Sequence, residues 1–256
     1  MSRYFLEVAY KGTHYSGFQS QHNANTIQEE IEKAFAILQK EKIVMAGSSR
    51  TDAGVHALQN FFHFDTNSPL HMWRGVGGEA DFAYKMNAIL PEDIVVKKII
   101  PVAEDAHCRF DAVSREYKYF IYRNKNPFLK DRAFYFPYKL NIETLYQAAM
   151  ILKEYEDFTS FSKRNTQVKS FKCEIRKSEW YFEKDCLVYH VQANRFLRGM
   201  VRALTATMLK IGRGKISLNQ FRDIIEAKDC TKASFAVPAQ GLFLVSVEYT
   251  PILMGE

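Results

Sequence analysis

Short runs dense in β-branched and aromatic residues recur along the whole chain, and the segments between them carry apolar residues at helical spacing. This alternation confines the chain to a mixed architecture, because side chains repeating every second residue suit a sheet and those repeating about every 3.6 residues suit a helix. Residues 3–10 (RYFLEVAY) predict a first strand that ends at the turn-like Lys11-Gly12-Thr13. An unusually aromatic polar loop, GTHYSGFQSQHN, follows. A helix comes next, opened by Thr26 and Glu29 at capping-box spacing, with Ile27, Ile31, Ala34, Phe35 and Leu38 on one face. Residues 42–48 read as a short strand entering the segment Ser-Arg-Thr-Asp-Ala-Gly, and Gln59–Asp65 (QNFFHFD) as the strand leaving it. The segment 66–80 reads as a loop before a helix near 81–89, and a strand near 93–101 closes this part of the chain. The Gly-x-Gly-Gly within that loop has neither the strand-to-helix context nor the Walker lysine of a phosphate cradle.

The second half opens with VSREYKYFIYR (113–123), which alternates as a long strand with Tyr117, Tyr119 and Ile121 on one face. Asn141 is placed to cap a helix running to about residue 153, and 171–183 and 186–194 form a hairpin around Lys184-Asp185. Helices over about 196–211 and 217–227 precede a last strand, Gly241–Tyr249. This order predicts an α+β fold of two related units with antiparallel or mixed sheets flanked by helices. Residues 1–104 would form the unit carrying the Arg-Thr-Asp loop, and residues 105–256 the unit carrying the tyrosine strand and an arginine-rich helix.

Composition narrows the function classes. A formal charge of +6 suits an anionic partner such as nucleic acid. The 14 tyrosines and 20 phenylalanines could stack on unpaired bases, although core and strand packing accounts for most of them. Trp73 and Trp180 read as packing residues. The four cysteines, Cys108, Cys173, Cys186 and Cys230, form no Cys-x-x-Cys pair and show no motif spacing to a histidine, so neither a zinc site nor a disulfide framework is expected. His14, His22 and His63 likewise lack ligand spacing. No segment supplies the run of about eighteen apolar residues that a membrane helix needs, and the N-terminal segment lacks the features of a signal peptide, so a cytoplasmic location is expected.

Two segments carry candidate chemistry. In SSRTDAGVH (48–56) the carboxylate of Asp52 follows Arg50 by two residues and precedes Gly54 by two, on a loop between strands, a usual setting for catalytic groups. The competing role for Asp52 is an Asx-turn, with Arg50 directed to solvent. In the helix predicted from about 196, Phe196, Met200, Ala203, Leu204 and Ile211 fall on one side and Arg195, Arg198 and Arg202 on the other. Such a face could hold phosphates, supply a partner for a carboxylate, or be merely solvated.

These segments, with YKGTHYSGFQSQ (10–21), RTDAGVHA (50–57), LPEDI (90–94), SREYKYFIYRN (114–124), DFTSF (157–161), NRFLRGMVRAL (194–204) and PAQGLFLVSVEY (238–249), resemble the tRNA pseudouridine synthase A family over essentially the whole chain. The resemblance implies the pseudouridine synthase fold with a central basic cleft, and an isomerase that converts uridine to pseudouridine without metal or other cofactor. It places the catalytic aspartate on Asp52, the arginine that takes the place of the flipped base on Arg50, the tyrosine that stacks on the uracil on Tyr117, and the arginine that salt-bridges the aspartate on Arg202. Arg195 and Arg198 are assigned to RNA phosphates. An arginine beside the aspartate favours its charged form. Attack at C1′, addition to the ring and proton abstraction are each compatible with a carboxylate at position 52. The implied substrate is the anticodon stem-loop of tRNA, at uridines conventionally numbered about 38 to 40, which must leave the stack to react. A homodimer is implied as well.

The chain departs from the family pattern at Ser49, where glycine is usual, at Glu156, where histidine is usual, and at Gly199, where a larger polar residue is usual. None is an assigned catalytic group, but Ser49 bears on loop geometry and Gly199 on RNA contacts. His56 reads as structural. The rival readings are a pseudouridine synthase acting on another tRNA position, ribosomal RNA or messenger RNA, and a non-catalytic RNA-binding protein. A hydrolase would call for a metal cluster or a second candidate carboxylate, and the sequence offers neither.

Overall fold

The computed structural model describes residues 1–67, 78–164 and 168–254; Trp73 and most of the loop predicted at 66–80 lie outside the described residues. The chain divides into two compact units, Met1–Val113 with Leu244–Glu256, and Ser114–Phe243. Each is α+β. Among the described residues no helix is long and apolar enough to cross a membrane.

The first unit runs β1 (Ser2–Tyr10), α1 (Ile27–Gln39), β2 (Ala46–Gly47), β3 (His56–Thr66), α2 (Gly78–Ile89) and β4 (Ile94–Val102). β1 lies between β3 and β4 and is antiparallel to both, with Phe5 in register with His63 on one side and Ile100 on the other. Residues Tyr4–Val8 are buried on both faces, which is why this strand reads as a nearly continuous apolar run. Its one acid, Glu7, is buried and accepts a 3.1 Å bond from Gln59. The Thr26 hydroxyl accepts from the Glu29 N–H at 3.3 Å, satisfying one of the open amides at the start of α1. Ile27, Ile31, Ala34 and Phe35 are buried along that helix, while Leu38 is half-buried. The Phe35 ring meets Phe64 of β3 and Phe82 of α2 edge-on at 5.2 and 5.4 Å, so one aromatic cluster fixes both helices to the sheet. α2 starts at Gly78, three residues before the predicted position.

The second unit runs β5 (Ser114–Tyr122), β6 (Phe134–Tyr135), α3 (Ile142–Ile151), β7 (Ile175–Glu183), β8 (Cys186–Ala193), α4 (Met200–Gly212) and α5 (Leu218–Glu226). β8 lies between β5 and β7, antiparallel to both, and β6 adds to β5 in parallel. The hairpin turn falls at Lys184-Asp185 as predicted, with Lys184 in the left-handed region at φ 54°. The Asn141 side chain accepts from the Thr144 N–H, and Ser217 with Gln220 forms a reciprocal capping box at the start of α5. The chain closes with β9 (Leu242–Glu248) and the short α6 (Pro251–Met254). The division between units falls within β9, whose first-unit part lies beside β3, where the Val247 N–H donates to Gln59 Oε1 at 3.0 Å.

The helix predicted from about residue 196 begins instead at Met200. Gly199 stands before it at φ 77°, a left-handed conformation that glycine adopts without penalty and that no α-helix contains. Arg195 and Arg198 therefore precede α4 and do not share a helical face with Arg202. Nor is α4 an amphipathic surface helix: all its residues except Arg202 and Lys210 are buried. Its two threonines turn their hydroxyls back onto the helix, Thr205 to Val201 O and Thr207 to Ala203 O, each at 2.8 Å, which satisfies them inside the core.

Tyr119 of β5 is fully buried and its hydroxyl donates to Pro238 O at 2.7 Å. A Cβ at Gly241 would stand 2.7 Å from Tyr119 Cζ and 3.0 Å from Phe120 O, so the closing segment passes this strand at a distance only glycine permits. Gly241→Ala is expected to destabilise by about 1–3 kcal/mol through overpacking, and Tyr119→Phe by about 1 kcal/mol through the lost hydrogen bond. Urea denaturation measures both, and an unchanged midpoint for Gly241→Ala would show that the tyrosine ring yields.

Candidate active site

In the first unit the segment Ser48–Val55 links β2 to β3, and its shape is set from beneath. Asn60 of β3 is fully buried. Its Nδ2 donates to Ser49 O at 3.0 Å and to the Tyr10 hydroxyl at 3.1 Å, while its Oδ1 accepts from the Ser48 hydroxyl at 2.7 Å. The Tyr10 hydroxyl is in turn 2.8 Å from Thr51 Oγ1. One buried amide thus holds both ends of the Ser48–Thr51 stretch, directly and through a tyrosine. Low local dielectric makes each of these bonds costly to break.

The aromatic loop after β1 completes the support. The Phe18 N–H donates to Thr51 O at 3.2 Å, and the Phe18 ring stacks on Phe62 at 4.4 Å. That ring occupies the space a Cβ of Gly47 would need, since such an atom would stand 2.0 Å from Phe18 Cε1. A Cβ at Gly12 would likewise stand 2.0 Å from Val55 O. The Gly12 N–H donates to His56 Nδ1 at 3.1 Å, and His56 is buried, which agrees with the structural role read for it from the sequence. Tyr15, also buried, donates to Asp93 at 2.5 Å, and both the burial and the carboxylate push its hydroxyl pKa up. Tyr15 and Phe18 are therefore packing groups and not platforms for bases.

On this base Thr51 is buried, Arg50 is exposed and Asp52 is half-buried. The hydroxyl of Thr51 is committed inward, to Tyr10. Gly54, at φ 77°, and a 3.2 Å bond from the Val55 N–H to Asp52 O turn the chain into β3. Ser49 carries no backbone strain, because it is not among the positive-φ residues. Its hydroxyl is nonetheless buried with no hydrogen-bond partner among the described residues.

In the second unit Tyr117 lies half-buried on β5, and its ring meets Phe196 edge-on at 5.1 Å and 85°. Phe196 belongs to the irregular segment 194–199 between β8 and α4. That segment is pinned at Asn194, whose carbonyl accepts from Arg115 at 3.0 Å and whose side chain accepts from the Glu174 N–H at 2.9 Å. Arg198 O accepts from the Lys163 N–H at 3.0 Å. Arg195 is half-buried and Arg198 exposed. Arg202, in the first turn of α4, donates through Nε and a terminal nitrogen to Val237 O, at 3.1 and 2.7 Å. Consecutive carbonyls, Val237 and Pro238, thereby orient the guanidinium of Arg202 and the hydroxyl of Tyr119.

Sequence reasoning singled out Arg50, Asp52, Tyr117, Arg195, Arg198 and Arg202. Arg50 and Asp52 belong to the first unit and the other four to the second. The residues that hold them, Tyr10, Thr51, Asn60, Phe196 and the carbonyls of Val237 and Pro238, were not singled out. Asn60 could have been noticed as an amide directly preceding the paired phenylalanines of QNFFHF, although Gln59 beside it is an amide too. Side chains with metal-ligand chemistry, His63, His107 and Cys108, gather on β3 and the segment after β4, apart in sequence from Ser48–Val55.

The chain matches the family model described as tRNA pseudouridine synthase over residues 7–111 and 151–250. It is similar to the tRNA pseudouridine synthase A of Parabacteroides distasonis, at 45% identity over 97% of this chain and 96% of that protein. The protein of the same name from Bacteroides fragilis is 44% identical over 97% of both chains. That from Staphylococcus saprophyticus is 36% identical over 97% of this chain and 91% of its own.

Two hydroxyls two residues apart on this loop are in opposite states, and the contrast is testable. Thr51→Val removes a satisfied buried bond and leaves the Tyr10 hydroxyl short of a partner, at a cost of about 1–3 kcal/mol. Ser49→Ala removes an orphaned hydroxyl and is expected to be neutral or slightly stabilising. Equilibrium denaturation of the two variants checks the difference, and equal losses would mean that the network does not hold the loop.

Proposed function

The chain belongs to the tRNA pseudouridine synthase family, and on that premise we propose that it isomerises uridine to pseudouridine in the anticodon stem-loop of tRNA, with Asp52 as the catalytic carboxylate. The observation that carries the assignment of Asp52 is the inward commitment of Thr51, which leaves the carboxylate beside it half-buried on a loop held by the Asn60 network. Groups fixed before substrate arrives lose little entropy in the reaction.

The reaction breaks the N1–C1′ bond, turns the uracil and rejoins it through C5. The proton lost from C5 balances the one gained at N1, so atoms and electrons are conserved and no oxidant, reductant or group donor enters. Asp52 supplies the negative charge for this sequence. Tyr117 presents its ring to the detached uracil, and its hydroxyl assists removal of the C5 proton. The edge-on contact with Phe196 supports that role by fixing the plane of the ring. Arg202 supplies positive charge to the same reaction, with its guanidinium orientation set by Val237 O. Arg50 fills the space left by the flipped base, which offsets part of a flipping cost of a few kcal/mol. Arg195 and Arg198 contact phosphates, and the exposure of Arg198 suits that role. The target uridines are those conventionally numbered about 38 to 40, the enzyme acts as a homodimer, and it works in the cytoplasm.

Asp52→Asn keeps the size of the side chain and removes its charge. In a single-turnover assay with excess folded enzyme, pseudouridine formation in tRNA is expected to fall to background, while tRNA affinity stays within about tenfold, or roughly 1.4 kcal/mol. Substantial conversion by this variant would remove Asp52 from the chemistry. Tyr117→Phe is expected to bind tRNA normally and react more slowly, with Tyr117→Ala slower still, and equal wild-type rates would make Tyr117 a packing residue. Affinity for tRNA should also fall steeply with salt, since phosphate contacts release counterions, and a flat response would contradict the binding role of the arginines.

A further inference from the structure

His63, His107 and Cys108 lie together in the first unit, each offering one ligand atom, and these atoms are all within 4.8 Å of one another. From this geometry we infer that the three side chains form a binding site for a zinc-like divalent cation, which acts as a structural clip and takes no part in the isomerisation. The inference is independent of the assigned activity.

The donor set fits such an ion. One thiolate and two imidazoles suit a borderline-soft cation, and a water completes a tetrahedron. Zinc–sulfur and zinc–nitrogen bonds of about 2.3 and 2.0 Å place tetrahedral ligand atoms roughly 3.5 Å apart. His63 Nδ1 and Cys108 Sγ already stand at 3.2 Å. The remaining closure falls to His107, whose side chain is only half-buried, while His63 and Cys108 are buried. The rings of His63 and His107 meet edge-on at 4.4 Å.

The backbone that presents these ligands is fixed on several sides. Cys108 O accepts from the Tyr249 hydroxyl at 2.6 Å, and the His107 N–H donates to the Asp111 carboxylate at 2.7 Å. His63 sits in the β1–β3 ladder opposite Phe5. Three bonds give way when the ion enters, the first being the 3.2 Å hydrogen bond between His63 Nδ1 and Cys108 Sγ. The Cys108 thiol donates to Ala46 O at 3.1 Å, and His107 Nδ1 accepts from the Arg109 N–H at 3.2 Å. Formation of the sulfur–metal bond releases the thiol proton to solvent, and His107 either coordinates in place of the Arg109 bond or moves its ring proton. Two cations act on these groups, Arg109 and Arg3, and Arg3 is paired with Asp65 through two bonds of 2.7 and 2.8 Å and donates to Ala106 O at 2.9 Å.

The position explains what such a clip would do. His63 pairs with Ala46 of β2, and β2 leads directly into Ser48–Val55. An ion joining β3 to the segment after β4 would fix the sheet edge from which that loop departs.

Cobalt(II) tests this on the full-length protein after chelator treatment. The wild type is expected to develop the visible absorption of tetrahedral cobalt and a thiolate-to-cobalt charge-transfer band, saturating at one equivalent, with release of protons and a rise in Tm. Cys108→Ser should abolish the charge-transfer band. His107→Ala, at a half-buried position that tolerates truncation, should weaken binding at least about tenfold. Asp52→Asn should bind cobalt as the wild type does. No charge-transfer band in folded wild-type protein with cobalt in large excess would overturn the inference, as would an undiminished band in Cys108→Ser, which would assign the ion to another cysteine.

Discussion

The hydrogen bonds of one buried amide, Asn60, govern the part of the molecule on which the assigned chemistry depends. A carboxamide in a fully buried strand position is costly unless its donors and acceptor are matched. Here they are matched by Ser48, Ser49 and Tyr10, and the Tyr10 hydroxyl reaches Thr51. The same bonds that satisfy the amide therefore fix the loop. Because Asn60 lies on β3, Tyr10 ends β1 and Phe18 follows it, the loop inherits the rigidity of the sheet. The glycines at 12 and 47 serve that end by letting Val55 and Phe18 approach the backbone closely.

In the second unit the positioning is done mostly by backbone. Val237 O takes two donors from Arg202, and Pro238 O takes the Tyr119 hydroxyl. A carbonyl held in a close-packed segment is a fixed acceptor, since it has no side-chain torsion to relax. Tyr119 is fully buried on the same strand as Tyr117, so the bond that secures the first limits the movement of the second. Phe196 adds an edge-on contact from a segment that is pinned at Asn194 and turned by Gly199.

What the sequence made legible is what local physics encodes. Caps at Thr26 and Asn141, the Lys184-Asp185 hairpin and the alternation of VSREYKYFIYR each act within a few residues, and the elements stand where those signals fall. The arginine-rich helix failed for a local reason as well. Residues 195–199 have helical spacing, yet Gly199 takes a left-handed conformation, so the spacing of Arg195 and Arg198 has no bearing on Arg202. The candidate site was legible as a motif and not as a structure. Arg50, Asp52 and Tyr117 stand out as residue types, but their supports are a tyrosine, an asparagine and main-chain carbonyls whose partners lie far along the chain. The proximity of His63 to Cys108, 45 residues on, is of the same kind: no ligand spacing exists to be read, because the sheet creates it.

Burial divides the residues singled out from the sequence into two groups. Arg50 and Arg198 are exposed, where a charge is screened by water and salt. Asp52, Tyr117 and Arg202 are half-buried beside groups that are themselves buried and hydrogen-bonded or packed. Half-burial is the useful compromise for such groups. Full burial would desolvate a carboxylate and favour its neutral form, while full exposure would leave it mobile and screened. The rigidity with which this chain places these side chains comes from the neutral polar groups beneath them.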